Sequence, residues 1–263
     1  DLVLDRIIFN TFFTSNHIQR GRLQQSLKMA STATNEEILV LYGSQTGNSE
    51  QTAIDICEKI PEKLSVTARH MQLDDFLEVE RAKWPRLVVI VTSSYGVGQA
   101  PLGCQRFREF CDAIVEKEET LDRSMLTGVK YALLGLGDSK YTTFFQNPTK
   151  LDKALQLAGA TRVGSLGKAD ASGEGGDDQL KTIGRWIDNL WPVLIEVISS
   201  DPPSSDLLEK ARSSSLEICS EVIPDFDPSP RNTTSIFQIA VPVLVAIVAA
   251  VYFMTIQSEN ENE

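Results

Sequence analysis

The sequence predicts an α/β fold, a doubly wound five-stranded parallel sheet, with one C-terminal transmembrane helix after it. Three observations carry this expectation. Between residues 36 and 198, short apolar runs alternate with helix-length amphipathic stretches, the pattern of strands buried on both faces with a helix after each. The apolar runs end in loops rich in glycine and hydroxyl side chains. Near the end of the chain, residues 236–256 carry no charge.

Residues 1–35 read as an extension outside the fold. The chain opens on Asp1, and Met29 is followed by a polar lead-in to the first apolar run. Arg6, Arg20, Arg22 and Lys28 would suit a mitochondrial transit peptide, while Asp1 and Asp5 speak against one. The expected domain then occupies 36–198. Its clearest strands are 38–42, 87–92 and 131–134, with a weaker one at 66–71 and a short fifth at 162–163. Helical patterns begin near Ser49, Gly103, Thr149 and Asp177. From 199 to 235 the composition turns to Ser, Pro and acidic residues (DPPSS, IPDFDPSPRN). Such a stretch is expected to be a flexible tether of about 35 residues, with a brief helix at 207–212 left open.

The run IFQIAVPVLVAIVAAVYFMTI at 236–256 is long enough, at a rise of about 1.5 Å per residue, to span a hydrocarbon core of roughly 30 Å. Pro242 is tolerable in a membrane helix, and Tyr252 suits an interface. Only the polar tail 257–263 (QSENENE) follows, the arrangement of a tail-anchored protein with its domain in the cytosol. The acidic end, lacking lysine and arginine, leans toward the endoplasmic reticulum over the mitochondrial outer membrane.

Composition narrows the function. A formal net charge of −11 excludes bulk neutralisation of nucleic-acid phosphates and suits a basic partner. Cys57, Cys104, Cys111 and Cys219 show no CxxC spacing, and with two histidines they make a poor metal set. The seven-residue spacing of Cys104 and Cys111 suits one helix face more than a disulfide.

Four loops carry the chemistry, all at carboxyl ends of strands, where open α/β sheets bind ligands. The first is Ser44-Gln45-Thr46-Gly47-Asn48-Ser49. A terminal phosphate needs hydroxyl donors and free N–H groups at a helix start. Ser44, Thr46 and Ser49 supply hydroxyls, and Gly47 lets the backbone come close. The loop is neither GxxxxGK[ST] nor GxGxxG, so a nucleoside triphosphate or a dinucleotide is not expected. The second loop carries Ser94-Tyr95-Gly96-Val97-Gly98, and the third Leu136-Gly137-Asp138 with Tyr141 and Phe144. The fourth ends in Asp170. Tyrosine beside glycine in two of these loops suits a flat aromatic ligand stacked between two rings.

SQTGNSE, SSYGVGQAP and GLGDSKYTTF, in this order, resemble the FMN-binding, flavodoxin-like domain of the diflavin reductases, which include cytochrome P450 reductase and methionine synthase reductase. The likeness covers about residues 38–194. It implies that Ser44, Gln45, Thr46, Asn48 and Ser49 hold the FMN phosphate, and that Tyr95 and Tyr141 stack on opposite faces of the isoalloxazine. It also implies that the Gly96 carbonyl meets flavin N5, and that Leu136, Gly137, Asp138 and Phe144 line the ring. Asp170 would lie near the ribityl chain. No acid, base or nucleophile is required, because the redox chemistry is the flavin's. Val97 and Gln99 stand where relatives often carry an acid, and 145–148 replaces a stretch usually richer in Gly and Asn. The FAD and NADPH domains of a diflavin reductase have no counterpart here. The resemblance implies an electron carrier that is not expected to oxidise NADPH on its own, and the uncharged run 236–256 adds the expectation of a membrane tether. Its donor would be a separate FAD- and NADPH-containing reductase, and its acceptor a heme, cobalamin or iron–sulfur protein. Alternatives are a fragment of a methionine synthase reductase-like enzyme and a flavin-free interaction protein.

Overall fold

The computed structural model describes residues 36–79, 84–173 and 178–227. The extension 1–35, the span expected at 236–256 and the polar tail lie outside the described residues. Among the described residues, no helix is long and apolar enough to cross a membrane.

The strands are β1 (Glu37–Gly43), β2 (Thr67–Gln72), β3 (Leu87–Ser93), β4 (Lys130–Gly137), β5 (Thr161–Arg162) and β6 (Gly167–Asp170). They pair in parallel in the order β2-β1-β3-β4-β5, with β6 also on β4. The helices are α1 (Asn48–Leu64), the short α2 (Leu73–Phe76), α3 (Gln105–Glu116), α4 (Gln146–Leu157), α5 (Gln179–Ser199) and α6 (Ser205–Val222).

Side-chain alternation along the strands explains the two-faced core. Ile38, Val40 and Tyr42 of β1, Val89 and Val91 of β3, and Ala132 and Leu134 of β4 pack under α1 and α5. Leu39, Leu41, Val88, Ile90, Tyr131 and Leu133, one residue out of step, pack under α3, α4 and α6. All four cysteines are free and buried, and Cys104 and Cys111 share the second cluster. Burial pushes the Cys104 thiol up to about 12 and Cys111 well up, so both stay protonated.

Two polar groups fix the ends of elements. Asp74 accepts from the backbone N–H groups of Gln105 (3.1 Å) and Phe107 (2.9 Å), capping α3 from a distant part of the chain. Burial raises its carboxyl, and those two bonds partly offset the rise. Arg86, 6% exposed, pairs with Glu36 and donates to the carbonyls of Ile198, Ser200 and Asp201, each at 3.3 Å. It thereby satisfies acceptors that the end of α5 leaves open.

The structure corrects two expectations. The fifth strand is two pieces: β5 pairs with Lys130–Tyr131, and β6, which the sequence suggested was loop, pairs with Leu134–Gly137. Gly-Lys-Ala-Asp holds no β-branched or aromatic residue, so only the pairing reveals it as a strand. The second correction concerns the tether. Over 205–222 the chain is an 18-residue helix whose Ala211, Ser215, Ile218 and Cys219 are buried. Its contacts run from Lys210 with Asp122 (2.6 Å) through Glu221 with Lys117 to Phe226 under Arg106 (5.6 Å to the ring centroid), so α6 climbs antiparallel to α3. Small side chains at Ala211 and Ser215 let it lie close to the core, a packing that composition alone does not show.

Because Ile218 belongs to the core, Ile218→Ala should lower unfolding stability by roughly 2–4 kcal/mol. Urea denaturation of the parent and variant measures this; no change would mean that 205–222 behaves as the flexible tether its composition suggested.

Candidate functional site

Since β1, β3 and β4 are parallel neighbours, the loops leaving their carboxyl ends stand side by side. They enclose a cavity of about 370 Å³, within the size range of small-ligand sites. Of the residues expected from sequence, Gln45, Thr46, Asn48, Ser49, Ser94, Tyr95, Gly96, Leu136, Gly137, Asp138, Tyr141 and Phe144 line it.

One end of the cavity is the start of α1. Gly47, at φ +93°, is the cap residue, a conformation that suits glycine and leaves the first N–H groups of α1 facing the loop. Its own N–H donates to Ser44 Oγ (3.0 Å), so Ser44 shapes the loop and does not line the cavity. Ser49 is 1% exposed and its Oγ has no hydrogen-bond partner. An orphaned buried hydroxyl at a helix start is uncommon, and a phosphate oxygen is a group that would satisfy it.

At the other end stand two aromatic rings. Tyr95 is 48% exposed and Tyr141 is 64% exposed, although both line the cavity. The Tyr95 loop is closed by its own backbone, Tyr95 N–H to the Gln99 carbonyl (3.0 Å) and Gln99 N–H back to the Tyr95 carbonyl (2.8 Å). Thr143 Oγ1 donates to the Gly96 carbonyl (3.2 Å), joining the two tyrosine loops at the rim. Val97 points out to solvent at 77% exposure, and Gly98 lies buried behind the rim; neither lines the cavity.

Asp170 is not among the lining residues, although its neighbour Ala171 is. Its carboxylate accepts from the N–H groups of Ser139 and Ser172 (both 2.9 Å) and from Ser172 Oγ (3.0 Å). It staples the third loop to the fourth. Ser93, Thr143, Ala171 and Gln179 line the cavity and were not singled out. Ser93 and Thr143 lie inside the quoted motifs. Gln179, which donates to the carbonyls of Gly137 and Ala169, carries no sequence signal beyond its place at a helix start.

Together the fold and the cavity define an α/β protein built to hold a phosphorylated ligand with a flat aromatic ring. The chain matches the Flavodoxin family over residues 40–182, and it belongs to that family, whose cofactor is FMN. It is 30% identical over 171 residues to NADPH–cytochrome P450 reductase of Saccharomyces cerevisiae, covering 65% of this chain and 23% of that one. It is 36% identical over 134 residues to methionine synthase reductase of Caenorhabditis elegans, covering 51% of this chain and 19% of that one. The chain thus spans about a fifth of the length of these relatives. A flavodoxin variant from Pseudomonas aeruginosa is 22% identical, with a TM-score of 0.46, 60% of this chain covered and 98% of that one.

The Asp170 staple has a pH signature. Burial acts to raise its carboxyl, but the bonds from Ser139 and Ser172 outweigh that and hold it down to about 2. An unfolded aspartate titrates near 3.9. The folded chain therefore binds fewer protons between these values, so this stabilisation is full above about pH 4 and is lost as pH falls toward 2. Asp170→Asn should flatten stability over that interval, as acid titration of the unfolding midpoint will show.

Proposed function

We propose that the chain is an FMN-binding electron-transfer protein, held at a membrane by residues 236–256, that relays single electrons from a separate reductase to a metal-centred acceptor. The observation that carries the cofactor site is the orphaned Ser49 hydroxyl at the start of α1, facing the same cavity as Tyr95 and Tyr141. In this reading Thr46, Asn48 and Ser49 hold the phosphate, with Gln45 beside them and Ser44 holding the loop in shape. Tyr95 and Tyr141 cover the two faces of the ring and exclude water from it. Leu136, Gly137, Asp138 and Phe144 flank its edge. FMN, when bound, supplies chemistry in one-electron and two-electron steps; the side chains orient it and set its surroundings.

The relatives support the electron-transfer role. The NADPH–cytochrome P450 reductase and methionine synthase reductase named above are reductases by name, and this chain matches a portion of each. A donor containing FAD and NADPH, and a heme, cobalamin or iron–sulfur acceptor, follow as proposals. An acidic chain favours a basic face on such a partner and an association that weakens with salt. The uncharged length of 236–256 supports the membrane attachment. A second reading, favoured by the same partial coverage, is that this domain is one portion of a longer diflavin reductase.

Flavin-free protein should take up one FMN per chain, with Tyr141→Ala weakening binding by roughly 1–3 kcal/mol through lost stacking and burial. Absence of uptake on titration refutes the cofactor site. Mixed anaerobically with NADPH, the loaded protein should keep its flavin absorbance until the FAD–NADPH half of a diflavin reductase is added; bleaching before that addition overturns the carrier role. Deleting 236–263 should move the protein from the membrane pellet to the supernatant with its FMN content unchanged. A parent chain already in the supernatant rules out the anchor.

A further inference from the structure

Behind the cavity lies a polar cluster centred on Asn147, which is itself outside the lining, although its partners Ser93 and Ser94 belong to that lining. Asn147 is 0% exposed. Its Nδ2 donates to the Ser93 carbonyl (3.0 Å), to Thr92 Oγ1 (3.2 Å) and to Cys104 Sγ (3.6 Å). Its Oδ1 accepts from Arg108 Nη1 (2.9 Å), and its backbone N–H donates to Ser94 Oγ (3.0 Å). Arg108, itself 9% exposed, is held by both carboxylate oxygens of Asp112 at 2.9 Å.

These bonds meet where they bear on the two tyrosines. Asn147 is the second residue of α4 and follows the loop that carries Tyr141, Phe144 and Phe145. Its partners Ser93 and Ser94 directly precede Tyr95. One side chain and its own amide therefore tie the start of the second loop to the end of the third. Across the cavity rim the Thr143 hydroxyl donates to the Gly96 carbonyl, a second tie between the same two loops. That second tie is exposed, whereas the Asn147 ties to Ser93 and Ser94 are part-buried and are backed by buried bonds to Thr92, Cys104 and Arg108.

We propose that Asn147 is the positioning residue that sets the separation of the Tyr95 and Tyr141 loops, and with it the width of the slot that receives the planar ring. The proposal rests on the reading of the cavity as the FMN site. Asn147 is not among the residues lining the cavity, so it acts through the Ser93 carbonyl and the Ser94 hydroxyl. A side chain that both donates and accepts is needed, because the Ser93 carbonyl can only accept and Arg108 can only donate.

The test uses the full chain and three variants. Asn147→Ala removes both functions of the side chain. Asn147→Asp keeps an acceptor for Arg108, and so the fold, but presents oxygen to the Ser93 carbonyl. Leu155→Ala, on the core face of α4, weakens packing without touching either loop. FMN titration should show dissociation constants raised by about tenfold or more for both Asn147 variants. For Leu155→Ala the constant should stay within about twofold of the parent, despite a lower unfolding midpoint. In FMN-free protein, amide hydrogen exchange at Tyr95, Gly98 and Gln99 should quicken in Asn147→Asp and not in Leu155→Ala. Parental affinity and exchange in both Asn147 variants would overturn the proposal, as would an equal loss of affinity in Leu155→Ala. Failure of the parent chain to take up FMN would instead remove the cofactor reading, leaving the exchange comparison to decide whether Asn147 holds the loops.

Discussion

Backbone pairing of β3 with β1 on one side and β4 on the other is the constraint from which the site follows. A central parallel strand has no edge to spare, so its carbonyl and N–H groups are committed along its length. Registers such as Val91 with Tyr42 and with Leu134 bring the three carboxyl ends level. The loops that leave those ends then have one place to go, and the first turn of α1 is delivered to the same place. The side-chain pattern that buries the sheet on both faces is what allows the pairing, since parallel strands rely on helices to cover them. Arg86 and Asp74 act further out, closing α5 and α3 with donors and acceptors those helices lack internally.

At the β4 side, fit between glycine and phenylalanine takes over from hydrogen bonding. A Cβ at Gly135 would fall 2.3 Å from the Phe145 ring, so only glycine lets that ring lie on the strand. Phe145 itself sits at φ +64°, a left-handed conformation that costs roughly 1–3 kcal/mol for a bulky residue. Burying its ring, 5% exposed, returns a comparable roughly 1.5–3 kcal/mol. Lys168 Nζ lies 4.8 Å from the Phe144 ring centroid and 5.2 Å from that of Phe145, holding the pair from the β6 side. The two near-equal terms keep the Tyr141 loop bent where α4 begins, so that Asn147 is brought to its partners.

Much of this was legible in the sequence where the signal is periodic or chemical. Residues 38–42, 87–92 and 131–134 are runs of apolar side chains that only a strand buried on both faces accommodates, and the hydroxyl and tyrosine loops announce themselves by residue type. Legibility fails where tertiary contact decides. The segment Gly167–Asp170 has no propensity of its own and becomes a strand because β4 offers an unpaired edge. The stretch 205–222 reads as linker because serines and acids dominate its composition. Its buried positions, 211, 215, 218 and 219, with 222 partly buried, nevertheless follow helical spacing. The likeness placed Asp170 near the ligand but gave no sign that its oxygens accept from Ser139 and Ser172 and so join two loops. Asn147 was invisible for a plainer reason: a polar residue at a helix start is ordinarily a surface residue, and only its own full burial among polar partners makes it more.

The cavity also couples ligand binding to stability. Ser49 Oγ is buried without a partner, which costs the empty protein on the order of 1–3 kcal/mol relative to a satisfied hydroxyl. Two large rings, Tyr95 and Tyr141, stand half-exposed or more, so apolar surface remains uncovered at the rim. Neither cost is relieved within the protein, because Asn147 and Thr143 hold the loops that would have to collapse. A phosphorylated aromatic ligand relieves both at once. Any ligand that binds the folded chain and not the unfolded one adds RT ln(1 + [L]/Kd) to stability, about 2.7 kcal/mol at a concentration one hundred times Kd. The rigidity that keeps the empty slot open is therefore the same property that makes filling it favourable. Loosening the loops would lower the cost of the empty state and the gain on binding together.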